Sequence, residues 1–152
     1  MIKLYRPCVG AVIINQNNQI FLGERCGIKN SWQMPQGGID LNESPQDAIL
    51  REIEEEIGTN KIDVIKESAN WHSYILPETI LENVRQYWGN GVIGQRQKWF
   101  LCKFTGRDQD INLQTSHQEF FAYMWADKKT VMHYCINFKQ EVYENILSEF
   151  GF

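Results

Sequence analysis

The segment GGIDLNESPQDAILREIEEEIGT, residues 37–59, contains the clearest structural pattern in the chain. Ser44 is a favourable helix N-cap, and Pro45 suits the first helical position because its missing N–H would have no partner there. Gly58 follows the last helical residue, where glycine commonly ends a helix because it tolerates a left-handed backbone. The segment therefore predicts a short glycine-containing loop that leads into a helix between Ser44 and Gly58.

Three glutamates of this predicted helix, Glu52, Glu55 and Glu56, are spaced three and four positions apart. That spacing places them on one face, where like charges repel by a few tenths of a kcal/mol each in water and by more near the protein interior. Their hard oxygen atoms suit Mg²⁺ or Mn²⁺. An alternative is an ordinary solvated acidic face. The preceding Gly37-Gly38 pair favours the metal interpretation, because exposed glycine backbone lets a phosphate or another group approach closely.

The rest of the chain predicts strands in runs, with one helix inserted early and another at the end. Residues 9–14 and 20–22 are rich in β-branched and apolar side chains around turn residues 15–18, which predicts a hairpin. Apolar residues recur at helical spacing near the C-terminus. This order favours an α+β or α/β sandwich with helices packed on a mixed sheet. Further strands are predicted at residues 62–67, 71–76, 98–104 and 120–125, and the last helix at 139–150.

Composition limits the class of protein. The 152 residues, 43% of them hydrophobic, fit one domain over residues 1–152 with its own core. No apolar run approaches the ~20 residues of a membrane helix, so we expect a mature soluble protein without a membrane partner. Four scattered cysteines predict neither a zinc site nor disulfides, and a reducing cytoplasm is the expected location. With a net charge of −4, any contact with RNA has to be local.

Residues 37–59 resemble the Nudix box, whose pattern is Gly, five residues, Glu, seven residues, Arg-Glu, an aliphatic residue, any residue, Glu-Glu, any residue, Gly and an aliphatic residue. Only Thr59 departs from it, where the family has an aliphatic residue. So many specified positions in one window make a chance match much less probable than for a lone glycine motif. The resemblance implies an α/β protein, a Nudix α/β/α sandwich with a mixed β-sheet between helices.

The same resemblance implies roles for the residues of the box. Glu52, Glu55 and Glu56 would bind divalent cations, and Glu52 is the usual candidate for the general base. Arg51 and Glu43 would pair to hold the loop and helix in shape, next to Gly37 and Gly38. The expected cofactor is Mg²⁺, with Mn²⁺ or another divalent cation as a substitute.

Segments outside the box look like the bacterial RNA 5′-pyrophosphohydrolase and dinucleoside polyphosphate hydrolase subgroup of this family. They are residues 5–7, 31–38, 94–100 and 138–139. By position, Arg25 and Phe138 match residues that sandwich the first base, and Glu119 matches a further carboxylate that serves as metal ligand or base. The substrate contacts that the resemblance implies are Arg6, Arg25, Gln95, Lys98, Phe138 and Lys139.

Several of these residues have simpler interpretations. Phe138 is as well explained by core packing, and an isolated Glu119 by surface exposure. Gln95 and Lys98 point to opposite faces of a strand because side chains alternate, and only one face can line a cleft. Charges on that strand also fit an ordinary edge strand that avoids pairing.

The sequence favours a magnesium-dependent enzyme that removes pyrophosphate from the 5′-triphosphate end of RNA and also cleaves dinucleoside polyphosphates. A hydrolase that sanitises the nucleotide pool is a second hypothesis. A catalytically silent Nudix module that binds nucleotides or a partner protein is a third. The complete set of Glu52, Glu55 and Glu56 argues against a silent module, which has no electrostatic reason to retain their repulsion.

Overall fold

A computed structural model describes residues 3–152 and contains one sheet flanked by helices on both faces. The main strand order is β3-β2-β1-β7-β5, while β4 pairs with β1, β6 with β7, and β8 with β2. The strands are β1 Leu4–Ile14, β2 Ile20–Arg25, β3 Trp32–Gln33, β4 Gln36–Gly38, β5 Ile62–Glu67, β6 His72–Ile75, β7 Val92–Phe104 and β8 Phe120–Ala126.

The centre of the sheet is a parallel pair, β1 and β7, in register from Tyr5 opposite Gly94 to Ile14 opposite Lys103. The other strand pairings among residues 3–152 are antiparallel, so the sheet is mixed, as predicted. Strand β1 is buried from Cys8 to Ile14 because helices cover both of its faces.

In the described part of the chain, four helices complete the layers: α1 Pro45–Ile57, α2 Glu78–Trp88, α3 Lys128–Tyr134 and α4 Gln140–Glu149. Side chains of β1 alternate between two cores. Val9 packs with Ile53 of α1 in one core, whereas Val12 packs with Ile146 of α4 in the other. Buried residues of α2 and α3 belong to the second core. The fold is therefore an α/β/α sandwich, which confirms the prediction.

Helix α1 begins and ends where the sequence predicts. The Ser44 hydroxyl accepts a hydrogen bond from the Asp47 amide at 3.1 Å, and Gly58 adopts a left-handed φ of 70°. Thr59, the departure from the box, is buried, and its hydroxyl accepts a hydrogen bond from the Lys61 amide at 3.1 Å. A hydroxyl is accommodated at this position because the backbone satisfies it.

Sequence reasoning missed α2, α3 and the short strands β3 and β4, and it began β7 six residues late. The hairpin of β1 and β2 is confirmed, with Ile14 opposite Ile20. The last helix begins at Gln140, after a 3₁₀ turn at Asn137–Lys139. None of the helices within residues 3–152 combines the length and apolar character needed to cross a membrane.

Candidate active site

A cavity of about 410 Å³ lies where the glycine-containing strand β4, the glutamate face of α1 and the turn before α4 meet. Ten of the residues that the sequence analysis singled out line it: Arg6, Arg25, Gly37, Gly38, Glu52, Glu56, Gln95, Glu119, Phe138 and Lys139. Residues from both ends of the chain therefore meet in one place.

Lys98 is not brought to this cavity, contrary to the expectation for that residue. Its ammonium lies 5.8 Å from the centre of the Trp71 ring and 3.9 Å from the Glu67 carboxylate. Strand alternation explains the separation, since Gln95 faces the cavity and Lys98, an odd number of positions away, projects from the opposite side of β7. Glu55, Glu43 and Arg51 lie beside the cavity rather than on its wall.

Glycines 37 and 38 allow two charged side chains to approach the backbone closely. A Cβ atom on Gly37 would lie 2.0 Å from Cδ of Glu52, and one on Gly38 would lie 2.3 Å from a terminal guanidinium nitrogen of Arg6. Both distances are far below van der Waals contact. The glycines are therefore required for the position of the Glu52 carboxylate and of the Arg6 guanidinium.

Arg51 joins the loop to the helix. Its Nε and one terminal nitrogen donate to the two Glu43 carboxylate oxygens at 2.8 and 2.9 Å, and the same terminal nitrogen donates to the Gly38 carbonyl at 2.9 Å. The hydrogen bond from Arg51 lowers the pKa of Glu43 to about 2. The other terminal nitrogen donates to Glu52 at 2.9 Å and to Glu55 at 3.2 Å. This fork fits the loop-holding role that the family resemblance implies.

Glu56 is a buried acidic residue in the wall of the cavity. Its Oε2 has no hydrogen-bond partner among residues 3–152. Burial raises the pKa of Glu56 well above its ordinary value, and the nearby charges of Glu52 and Glu119 raise it further. Burial also raises the pKa of Glu52, although Arg51 opposes that shift. A buried carboxylate oxygen without a hydrogen bond is costly, and a bound cation would remove that cost.

The carboxylates fit a divalent cation by chemistry, since Mg²⁺ and similar ions prefer hard oxygen ligands. Glu52 and Glu56 line the cavity, and Glu56 offers an oxygen without a partner. Within residues 3–152 no three acidic, histidine or cysteine side chains converge closely enough to enclose an ion. Three of the acidic side chains contact arginines instead: Arg51 donates to Glu52 and Glu55, and Nε of Arg25 lies 3.6 Å from Glu119. Side-chain rotation would have to gather these ligands around a cation.

The polar wall away from the glutamates consists of buried amides and one lysine. The Lys139 ammonium donates to the side-chain oxygens of Gln33 and Gln36, each at 3.2 Å. Burial, assisted by the charge of Arg25, lowers the pKa of Lys139 to about 8. Oε1 of Gln95 accepts a hydrogen bond from the Tyr74 hydroxyl at 2.8 Å, which fixes the amide of Gln95. Because the amides that accept from Lys139 are neutral, its charge remains available to a phosphate.

Sequence reasoning overlooked Gln33, Gln36 and Tyr74 as cavity residues. The first two belong to the segment SWQMPQGG, residues 31–38, which carries part of the family resemblance. Two amides just before the glycine pair could have indicated them. Tyr74 carried no such pattern, because its position depends on the pairing of β6 with β7, where it lies opposite Gln95.

Phe138 both packs against the core and lines the cavity, so the two interpretations of this residue are compatible. Its ring centre lies 5.5 Å from that of Tyr74. Arg25 lines the same cavity from the end of β2. An aromatic ring and a guanidinium plane are the groups on which nucleobases stack.

The fold and the cavity define an α/β/α protein whose site combines acidic groups suited to a cation with basic, amide and aromatic groups suited to a phosphorylated ligand. A comparison with protein families gives a match to the NUDIX domain over residues 4–145. The chain belongs to the Nudix hydrolase family. Members of this family generally use divalent metal ions.

Curated bacterial relatives match the chain along nearly its whole length. An RNA pyrophosphohydrolase of Rhodospirillum rubrum is 46% identical over 145 residues, which are 95% of this chain and 86% of the relative. An RNA pyrophosphohydrolase of Orientia tsutsugamushi is 44% identical over 147 residues, which are 96% of this chain and 89% of that protein. The resemblance stated from the sequence is confirmed.

Solved structures agree on the fold. The E. coli dihydroneopterin triphosphate pyrophosphohydrolase has a TM-score of 0.71 at 18% identity, covering 96% of this chain and 99% of the other. A C. elegans Ap4A hydrolase has a TM-score of 0.64 at 18% identity, covering 94% and 96%. At this identity the similarity supports the α/β/α fold alone.

Proposed function

We propose that the protein hydrolyses the 5′-triphosphate end of RNA with the help of Mg²⁺, releasing pyrophosphate and leaving a 5′-monophosphate. One observation carries the proposal: a single cavity holds the buried Glu56 carboxylate, whose Oε2 is unpaired among the described residues, together with basic groups and an aromatic ring. The relatives named RNA pyrophosphohydrolase support the same substrate. Dinucleoside polyphosphates offer the same anhydride next to a base, and we include them as substrates.

The acidic side of the cavity serves the reaction centre. Glu52, Glu56 and Glu119, with Glu55 beside them, would hold the divalent cation, which lowers the pKa of a bound water and neutralises phosphate charge. Glu52 is our candidate for the base that accepts the proton of the attacking water. The absence of a side chain at Gly37 lets the Glu52 carboxylate lie close to the backbone of β4. Arg51 holds Glu52 from the other side through a hydrogen bond of 2.9 Å.

The basic side of the cavity binds the rest of the substrate. Arg6 and Lys139 supply positive charge for phosphate oxygens, and the fixed amide of Gln95 supplies a polar contact. Phe138 and Arg25 provide the two surfaces between which the first base stacks. Lys139 is buried next to neutral amides. The electrostatic attraction between its ammonium and a phosphate is therefore stronger than it would be in water.

The decisive experiment compares three substrates in magnesium buffer: triphosphorylated RNA, diadenosine tetraphosphate and an oxidised deoxynucleoside triphosphate. We expect pyrophosphate release from RNA to have the highest kcat/KM. Preference for the free oxidised triphosphate would replace the proposal by nucleotide-pool sanitation. No turnover of any substrate, with binding retained, would indicate a silent module. Chelation of the divalent cation should abolish turnover and leave the fold intact.

A matched pair of variants on one helix tests the acidic side. Glu52→Gln should fold normally and lower turnover by orders of magnitude, because it removes both a charge and a base. Glu54→Gln, an exposed glutamate on the same helix, serves as the control and should behave like the parent protein. Equal turnover of Glu52→Gln and the parent would remove Glu52 from the mechanism.

A further inference from the structure

An exposed groove of about 390 Å³ adjoins the cavity on the side of the loop between β2 and β3. Phe121 at the start of β8 is 72% exposed, and Ile28 in the loop is 48% exposed. Both side chains line the same groove, where a ligand can contact them. We name this groove the Phe121 surface, and its lining residues are Glu24, Arg25, Gly27, Ile28, Lys29 and Phe121.

The loop that forms this surface is ordered by its own hydrogen bonds. The amide of Arg25 donates to the Ser31 carbonyl at 2.8 Å, and the amide of Ser31 donates to the Ile28 carbonyl at 3.2 Å. The Glu24 carboxylate accepts a hydrogen bond from the Asn30 amide at 2.9 Å. Gly27 adopts a φ of +78°, which suits glycine and turns the chain. The surface is therefore formed before any ligand arrives, so binding costs little ordering of the loop.

Arg25 connects the Phe121 surface to the active-site cavity, since it lines both. A backbone hydrogen bond also joins the loop to a residue of the cavity: the amide of Cys26 donates to the carbonyl of Glu119 at 2.9 Å. A ligand whose first base reaches Arg25 therefore lies next to the Phe121 surface.

We propose that the Phe121 surface binds the RNA chain downstream of the first nucleotides, with a base stacked on Phe121 and a backbone phosphate near Lys29. This inference rests on the proposed function, since it requires RNA in the cavity. An exposed aromatic ring beside basic residues is the usual combination for single-stranded RNA. The negative charge of Glu24 is engaged by the Asn30 amide, whereas Lys29 is exposed.

A protein partner fits this surface less well. Phe121 and Ile28 are its two apolar side chains, and a stable protein interface buries at least ~1,000 Å² in total with a packed apolar centre. A strand of RNA needs only successive stacking and phosphate contacts. The positive charge that this surface offers to a phosphate is that of the exposed Lys29, because Arg25 lies 3.6 Å from Glu119 and the Glu24 carboxylate accepts a hydrogen bond from the Asn30 amide.

The test measures how turnover depends on RNA length. The parent protein and its variants are assayed on a triphosphorylated dinucleotide and on a triphosphorylated eight-nucleotide RNA, and kcat/KM of the long substrate is divided by that of the short one. We expect Phe121→Ala to lower this ratio about fivefold while dinucleotide turnover stays at the parental value, since one lost stacking contact costs ~1 kcal/mol. Phe121→Trp should restore the ratio because it keeps an aromatic face.

Tyr87→Ala is the matched control, since Tyr87 is 78% exposed and lies on α2 outside both the cavity and the Phe121 surface. Its length ratio should equal that of the parent. The charge of Lys29 is tested by the salt dependence of KM for the long RNA. Lys29→Gln should reduce the slope of log KM against log salt concentration by about the amount that one phosphate contact contributes, and Lys129→Gln on α3 should leave the slope unchanged.

The possible results separate this inference from the proposed function. If the parent protein hydrolyses both RNAs and Phe121→Ala retains the parental length ratio, the inference is wrong while the proposed function stands. An unchanged ratio together with loss of binding to another protein would assign the surface to a protein partner. If the parent hydrolyses neither RNA, the proposed function fails first and this inference fails with it.

Discussion

Replacing Gly37 by alanine should impair catalysis much more than folding. The added Cβ would lie 2.0 Å from Cδ of Glu52 and 2.2 and 2.3 Å from its two oxygens, whereas ordinary contact begins at 3.4 Å. The difference between 3.4 and 2.0 Å means that the Glu52 carboxylate has to move by roughly 1.4 Å. A displacement of about 1 Å in a reacting group can cost 100-fold, so we expect kcat to fall by ~100-fold or more.

The folded state should tolerate Gly37→Ala because the clash involves the end of a flexible side chain. The hydrogen bond between Arg51 and Glu52, 2.9 Å long, is the main interaction at risk, and its loss costs about 1 kcal/mol. Thermal unfolding measures this loss of stability. Initial rates of pyrophosphate release from triphosphorylated RNA in magnesium buffer measure kcat.

Gly151→Ala gives the opposite pattern and serves as the control. Gly151 has a φ of +91° with nothing within 4 Å of a Cβ atom, so alanine there should cost about 1 kcal/mol of stability and leave kcat unchanged. Parental kcat in Gly37→Ala, with Tm unchanged, would refute the reasoning that Gly37 positions Glu52 for the reaction.

Three further predictions concern other parts of the cavity. Arg51→Lys should lower kcat about 10- to 100-fold, because lysine cannot reproduce the fork that holds Glu43 and Glu52, and steady-state rates check this. Phe138→Ala should raise KM for RNA about tenfold in steady-state assays, because a stacking contact is lost. Its magnesium affinity, measured by titration calorimetry, should equal that of the parent. Lys139→Met should abolish a pH dependence of stability. The pKa of Lys139 is about 8 in the folded protein and 10.5 in the unfolded chain, so between these pH values only the unfolded chain holds the proton. The free energy of unfolding of the parent protein, measured with urea, should therefore rise by about 3 kcal/mol as the pH rises through this range.

The box helix was predictable because its signals are local. The Ser44 cap, Pro45 in the first turn and the left-handed Gly58 lie within one segment, and each acts on its immediate neighbours. Helix α2 had weaker local signals, since Pro77 at its N-cap provides no side-chain hydrogen bond. Its apolar residues Ile80 and Val84 have helical spacing, so the helix could have been found.

The cavity was only partly predictable because its polar wall depends on contacts between distant segments. Glu52 and Glu56 share a helix face by spacing alone. The buried amide of Gln33 has a defined role only once Lys139 lies next to it. Alternation along the strand predicts that Gln95 and Lys98 lie on opposite faces, so that only one of them can line the cavity. The packing of helices on the sheet decides which face that is.

The hydrogen bond between Lys139 and Gln36 joins residues that are 103 positions apart in the sequence. Such a contact forms only after the strands between them have paired, since closing so long a segment costs entropy that the sheet has to repay first. During synthesis on the ribosome, the glutamates of α1 emerge well before the turn at Asn137–Lys139. A nascent chain thus carries its acidic helix for some time before the opposite wall exists, and the complete cavity is among the last features to mature.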